Sequence, residues 1–186
     1  MMAETKIDTK VYHRDVEQLI KDFLWPRCGL FDPYYAPQRL QAIAKVLCRL
    51  PEHDYEKLRA VEDTFTWFIP HYYSHGWIEP VFATIFEEMT DSPGIEYLPY
   101  TKLLYLSPRL EEAAWDIVVA VVGHELAHLV LGHKAMGIKE GEYAVQEQAA
   151  FDLLCEWGFD LEAKKLRAMH KRRETMLHKF LEGNHE

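Results

Sequence analysis

Between residues 37 and 50 the apolar positions Leu40, Ile43, Leu47 and Leu50 recur at intervals of three and four. That is the spacing of one helix face, and Pro37 suits the first turn, where a missing N–H leaves no bond unmade. Further toward the N-terminus, Tyr12, Val16, Leu19, Ile20 and Phe23 predict a helix over Val11 to Leu24, ended by Trp25-Pro26. Residues 27–36, with Gly29 and Pro33, read as loop. After Pro51 a third helix is expected to carry Leu58, Val61, Phe65 and Phe68, with Pro70 stopping it. His71 to Trp77 is loop-like, and Pro80 is expected to open a short helix with Val81, Ile85, Phe86 and Met89 inward. Asp91-Ser92-Pro93-Gly94 is a turn composition. Two extended pieces follow, Ile95 to Leu98 and Lys102 to Leu106, the second bounded as a buried or edge strand would be.

The second half has a different texture. All nine prolines lie at or before Pro108. Ser107-Pro108 reads as an N-cap with proline at N1, and Glu111 and Glu112 would complement the positive end of the helix dipole. The helix from Pro108 to Leu131 is apolar nearly all round at Ile117 to Val122, so it should be central and buried, ending at Gly132 or Gly137. Tyr143 to Trp157 predicts another helix, stopped by Gly158. Leu161 to Leu181 predicts the last, with Leu161, Leu166, Met169, Met176, Leu177 and Phe180 inward. No linker or repeat interrupts this order. The expectation is one α+β, mostly helical domain over 1–186: a helical N-terminal layer (1–100), a core (101–160) and a C-terminal helix (161–186).

Composition adds limits. With 48% hydrophobic and 27% charged residues the chain resembles a globular protein, and its formal charge of −9 argues against general affinity for nucleic acid or an anionic membrane. From Lys164 to Lys179 seven Lys or Arg face one Glu, which reads as a solvated helix face or a docking surface for an acidic partner. Cys28, Cys48 and Cys155 are odd in number and without a C-x-x-C, as reduced core thiols would be. With no apolar segment in Met1 to Lys10, a cytoplasmic location is expected. The run Ala113 to Gly132 is membrane-like in length, but Asp116, His124, Glu125 and His128 make it a core helix.

Those last three residues carry the chemistry. His124-Glu125-Leu126-Ala127-His128 reads H-E-x-x-H. Two histidines four apart on a helix stand about 40° apart around the axis and roughly 6 Å along it, so one metal ion can take a ring nitrogen from each. Glu125 projects beside that metal, where a carboxylate can take a proton from water. A catalytic zinc commonly has three protein ligands. His133 is near, but nine residues after His124 lies about 180° round a continuous helix; Gly132 could swing it back, yet a helix cap or a support behind a ligand is the expected role. Glu147, on the following helix, stands as a lone charge at the edge of the stripe Ala150, Phe151 and Leu154. It is the better candidate; Glu140, Glu142 and Asp152 remain open. His71 and His75 share the four-residue spacing, but between Pro70 and Gly76 they read as an aromatic-rich surface.

The run His124 to His128 with Gly132-His133, then Glu147-Gln148-Ala149-Ala150 leading to Trp157-Gly158-Phe159, resembles the gluzincin-type zinc metallopeptidases, especially the small ImmA/IrrE-like proteins. The resemblance covers Lys102 to Phe159. It implies a zincin-like domain with a small sheet beside a buried active-site helix, and hydrolysis of peptide bonds in a protein or peptide substrate. It also implies Zn2+ held by His124, His128 and Glu147, with Glu125 as general base. The strand Lys102 to Leu106 would be the natural edge for an extended substrate. Such proteins use a Tyr or His to stabilise the oxyanion, for which Tyr97, Tyr100, Tyr105 and Tyr143 are candidates. The chain departs from the pattern at Phe151, where an acidic residue often supports the first ligand histidine; Asp152 or a backbone carbonyl is the expected substitute. The rival expectation is a catalytically weak or inactive zinc-binding regulatory protein on the same scaffold.

Overall fold

The computed structural model describes residues 37–60, 65–68, 83–87, 102–133, 139 and 141–183, and among them the chain is mostly helical. In chain order these form α1 (Pro37–Leu47), α2 (Glu52–Ala60), β1 (Phe65–Phe68), β2 (Ala83–Glu87), β3 (Lys102–Leu106), a 3-10 turn at Pro108–Glu111, α3 (Trp115–Val130), α4 (Glu142–Glu156) and α5 (Asp160–Gly183). The expected helix at 11–24, the segments at 27–36, 71–77 and 91–98, and Cys28, His71, His75, Tyr97, Tyr100, Gly137 and Glu140 lie outside the described residues. So do the side chains of Met176, Leu177 and Phe180.

Helix α3 is the centre. It touches α1, α2, α4, α5 and β2, and every residue from Val118 to His124 is buried. Ala114 caps it without any side-chain hydrogen bond. A good cap is worth about 1 kcal/mol. Each fully buried Val or Leu contributes ~1.5–3 kcal/mol over the exposed state, and Val118, Val119, Val122 and Leu126 are all completely buried. Tertiary burial therefore holds this helix, to which the N-cap residue lends no side-chain bond. Gly123 marks a close approach to a neighbour: a Cβ there would stand 2.5 Å from Leu154 Cδ1 of α4.

The stripe is buried as its spacing predicts: Leu40, Ile43 and Leu47 on α1, and Leu50 in the turn that follows it, all join the core. The N-terminus of α1 is held by a residue 72 positions away. The Glu111 carboxylate accepts from the backbone N–H of Gln38 (3.0 Å) and Arg39 (3.2 Å) and from Arg39 Nε (2.9 Å). Arg39 also donates from Nη1 to the Leu106 carbonyl at 2.9 Å, and its side chain is wholly buried. Glu111 thus complements the dipole of α1 rather than that of the helix following it. The expected continuous helix from Pro108 is correspondingly divided. Ser107 Oγ does accept from the Arg109 N–H (3.2 Å) with proline next, but it caps the short 3-10 turn, and α3 begins only at Trp115.

Two expected helices are corrected. The third is helical over Glu52–Ala60, but Phe65–Phe68, placed on it, is strand β1; the helix placed after Pro80 is instead strand β2 over Ala83–Glu87. Apolar runs this short carry no decisive period, and aromatic and β-branched residues suit a pleated surface. Partner strands decide them. β1 pairs parallel to β3 (Phe65 opposite Lys102) and β2 pairs antiparallel to it (Ala83 opposite Leu106). The sheet order is β1-β3-β2, so Lys102–Leu106 is the middle strand and offers no edge to a substrate.

Helices α3 and α4 end alike. Gly132 and Gly158 have φ of +66° and +81°, a conformation glycine adopts without steric cost. His133 N–H donates to the His128 carbonyl (3.0 Å) and Gly132 N–H to Leu129 (3.1 Å); Phe159 N–H donates to Leu154 (3.2 Å) and Gly158 N–H to Cys155 (2.8 Å). Both pairs are the Schellman pattern. The second turns the chain into α5, where Ala163 and Leu166 face the core. Leu161, expected inward, is 75% exposed. It lies about 200° round the helix from Ala163. No helix among the described residues is long and apolar enough to cross a membrane.

Candidate metal centre

His124 and His128 stand one turn apart near the end of α3, and α4 brings Glu147 against the face they share. His124 Nε2 lies 3.0 Å from His128 Nε2 and 3.1 Å from Glu147 Oε2. His128 Nε2 lies 3.3 Å from Glu147 Oε1. Two ring nitrogens this close repel as paired acceptors unless one carries a proton, and both also face a carboxylate. A cation against the triangle satisfies all three. In a tetrahedral zinc site with bonds of about 2.0–2.1 Å, neighbouring donors stand about 3.3–3.4 Å apart. Here the two ring nitrogens stand 3.0 Å apart and each faces its own Glu147 oxygen at 3.1 or 3.3 Å, so the three side chains converge on one small volume. Among the described residues this is the His/Cys/Asp/Glu group that could hold a metal ion, and its donors fit one.

The charge states suit the same role. Burial pushes the His124 imidazole below its ordinary pKa, against the opposing hydrogen bond to the Glu147 carboxylate, so the ring favours its neutral, ligating form. Burial alone would raise Glu147, but its hydrogen bonds with His124 and His128 outweigh that and hold the carboxyl far below the usual range. His124 is 4% exposed, whereas the side chains of His128 and Glu147 retain 12% and 23%. The group therefore meets solvent on the His128 and Glu147 side.

Glu125 contributes no atom to the triangle. Burial pushes its carboxyl up to about 7, with the charge of His128 opposing and that of Glu147 adding. The residue keeps partial exposure. A carboxyl that divides between its two protonation states near neutral pH can both take and return a proton.

Of the other candidates, His133 is brought to the group but not into it: its Nδ1 lies 2.8 Å from His128 Nδ1. Asp152 is exposed and held by Gln148 Nε2 (2.6 Å) and Arg167 Nη2 (3.2 Å). Glu142 opens α4 and accepts from the Lys139 N–H at 3.1 Å. Tyr105 is buried on the middle strand, and Tyr143 is 62% exposed one turn before Glu147.

The expected substitute for an acidic residue at 151 is corrected. Neither Asp152 nor a carbonyl among the described residues meets His124, whose Nδ1 is buried without a hydrogen-bond partner there. Phe151 packs on the His124 ring instead, with centroids 4.3 Å apart. Arg167 of α5 lies over the Phe151 ring, 4.6 Å from its centroid, and the His170 ring centroid stands 6.0 Å from it. Sequence reasoning did not place these two α5 residues near the group. Only the docking of α5 brings them there. The basic segment is partly paired, Lys165 with Asp116 and Arg167 with Asp152.

No family model matches this chain, and no curated protein or solved structure does so. The chemistry of the group rests on its own geometry.

Proposed function

We propose that the chain is a zinc-dependent metallopeptidase with a zincin-like arrangement, acting on a protein or peptide substrate. The observation that carries this reading is the donor triangle of His124, His128 and Glu147, with Glu125 next in sequence to the first ligand. Bound zinc supplies Lewis acidity where the three donors meet. Glu125 takes a proton from the attacking water at its carboxylate and returns it to the leaving amine, a role its near-neutral pKa suits. Burial of His124 and α3 keeps the group rigid. The exposed side of His128 and Glu147 is the way in for a substrate.

A second reading keeps the metal and drops turnover, leaving a zinc-binding regulatory protein. Its support is the His124 Nδ1, which has no partner among the described residues, and the Phe151 ring packed on that imidazole. The two separate by experiment. Zinc content is measured on purified wild type and on His128→Ala, then peptide cleavage on wild type and Glu125→Gln. About one zinc per chain, lost in His128→Ala, with cleavage lost in Glu125→Gln, is the expected result. Cleavage surviving in Glu125→Gln would remove the assigned base. Zinc without cleavage in wild type favours the regulatory reading.

A further inference from the structure

His133 lies outside the donor triangle, yet the backbone holds it against one corner. Gly132 takes φ of +66°, and the His133 N–H closes back onto the His128 carbonyl at 3.0 Å. That turn brings the two rings together with centroids 4.9 Å and planes 67° apart. The Nδ1 atoms end 2.8 Å from each other. A contact this short between two ring nitrogens requires one proton on the line between them. One ring donates and the other accepts.

Which ring donates decides what His128 can bind. If His128 carries its proton on Nδ1, its Nε2 presents a lone pair to the triangle. If the proton is on Nε2, that corner is closed to a cation. A bond from His128 Nδ1–H to His133 Nδ1, with the His133 proton on Nε2, selects the first tautomer. His124 has no such help among the described residues, since its Nδ1 is buried without a partner. The support of the triangle is therefore one-sided and falls on His128.

We infer that His133 is a positioning residue for a divalent cation: it accepts a hydrogen bond from His128 Nδ1 and so fixes the tautomer and ring plane that turn His128 Nε2 toward the metal. The inference rests on the metal-site reading above and assigns His133 no bond to the ion. An outer partner of a ligating histidine typically changes metal affinity by about 10- to 100-fold.

The test is a competition titration with zinc and a chromophoric chelator on wild type, His128→Ala, His133→Phe and His133→Asn. Phe keeps a ring and removes the acceptor, and Asn returns an acceptor oxygen at similar reach. His133→Phe should bind zinc about 10- to 100-fold more weakly, and His133→Asn should recover most of the loss. Equal affinity in wild type and His133→Phe, or Asn no better than Phe, would overturn the inference while leaving the metal site standing. Zinc binding in wild type that His128→Ala leaves unchanged would overturn both. If His133→Phe fails to fold, nitrogen-15 spectra of zinc-loaded wild type decide: His128 should show Nδ1 protonated and Nε2 bound, and the reverse pattern refutes the assignment.

Discussion

Phe151 lies against His124 with ring centroids 4.3 Å apart, while the His124 Nδ1 is buried with no hydrogen-bond partner among the described residues. Position 151 thus offers this imidazole an aromatic side chain and no hydrogen-bond acceptor. Phe151→Glu should exchange one benefit for the other. Losing a buried Phe costs about 3–5 kcal/mol when truncated to Ala, and a retained aliphatic stem recovers part of it. Urea unfolding of the metal-free variant should show a loss of about 3 kcal/mol, and zinc affinity should rise about 10-fold. Unchanged or weaker zinc binding in a folded variant would show that no acceptor is wanted at this place.

Glu125 yields a prediction about pH. Burial raises its carboxyl from 4.5 to about 7 in the fold, so the folded chain keeps a proton that the unfolded chain has released. The stability this provides is fully present below about pH 4.5 and is lost as pH rises through about 7. Glu125→Gln cannot ionise. In chelator at pH 8 the variant should be more stable than wild type by on the order of 2 kcal/mol, partial exposure trimming the full effect. The difference should vanish near pH 4.5. Denaturant melts of both proteins across that range check it, and parallel curves would contradict the burial of this carboxyl.

Metal should bind the folded chain in preference to the unfolded one. At about 100 times its Kd, zinc adds about 2.7 kcal/mol. For a chain of 186 residues that corresponds to a rise in melting temperature of roughly 5–11 °C. Glu147→Ala removes one corner of the triangle and should abolish most of the rise at the same zinc concentration. A variant that keeps the whole shift would place the ion elsewhere.

The pairing of Arg39 with Glu111 is a claim about the fold. Arg39 is wholly buried, and the Glu111 carboxylate meets both its side chain and the first N–H groups of α1. Glu111→Ala takes a carboxylate away from a buried guanidinium and an acceptor away from the helix start. The cost should be about 3–5 kcal/mol. Replacing Arg39 by Met as well should restore part of it, since an apolar side chain of similar length needs no counter-charge. Chemical denaturation of the single and double variants gives both numbers.

The residues' own order determined what depends on local geometry. Four-residue spacing puts His124 and His128 on one face, the leucine stripe buries α1, and Gly158 stops α4. Glu147 could be singled out because a lone charge on an apolar stripe needs a partner. Tertiary structure alone decided the rest. Phe65–Phe68 and Ala83–Glu87 are strands because β3 lies between them to accept their hydrogen bonds, and runs of four or five residues carry no period to say so. Glu111 serves α1 because packing brings together residues more than seventy positions apart. The H-E-x-x-H run names two ligands and a base. It leaves His133 a cap or a support, but that its Nδ1 meets the Nδ1 of His128, and that a phenyl ring packs on His124, follow from the left-handed turn at Gly132 and the docking of α4.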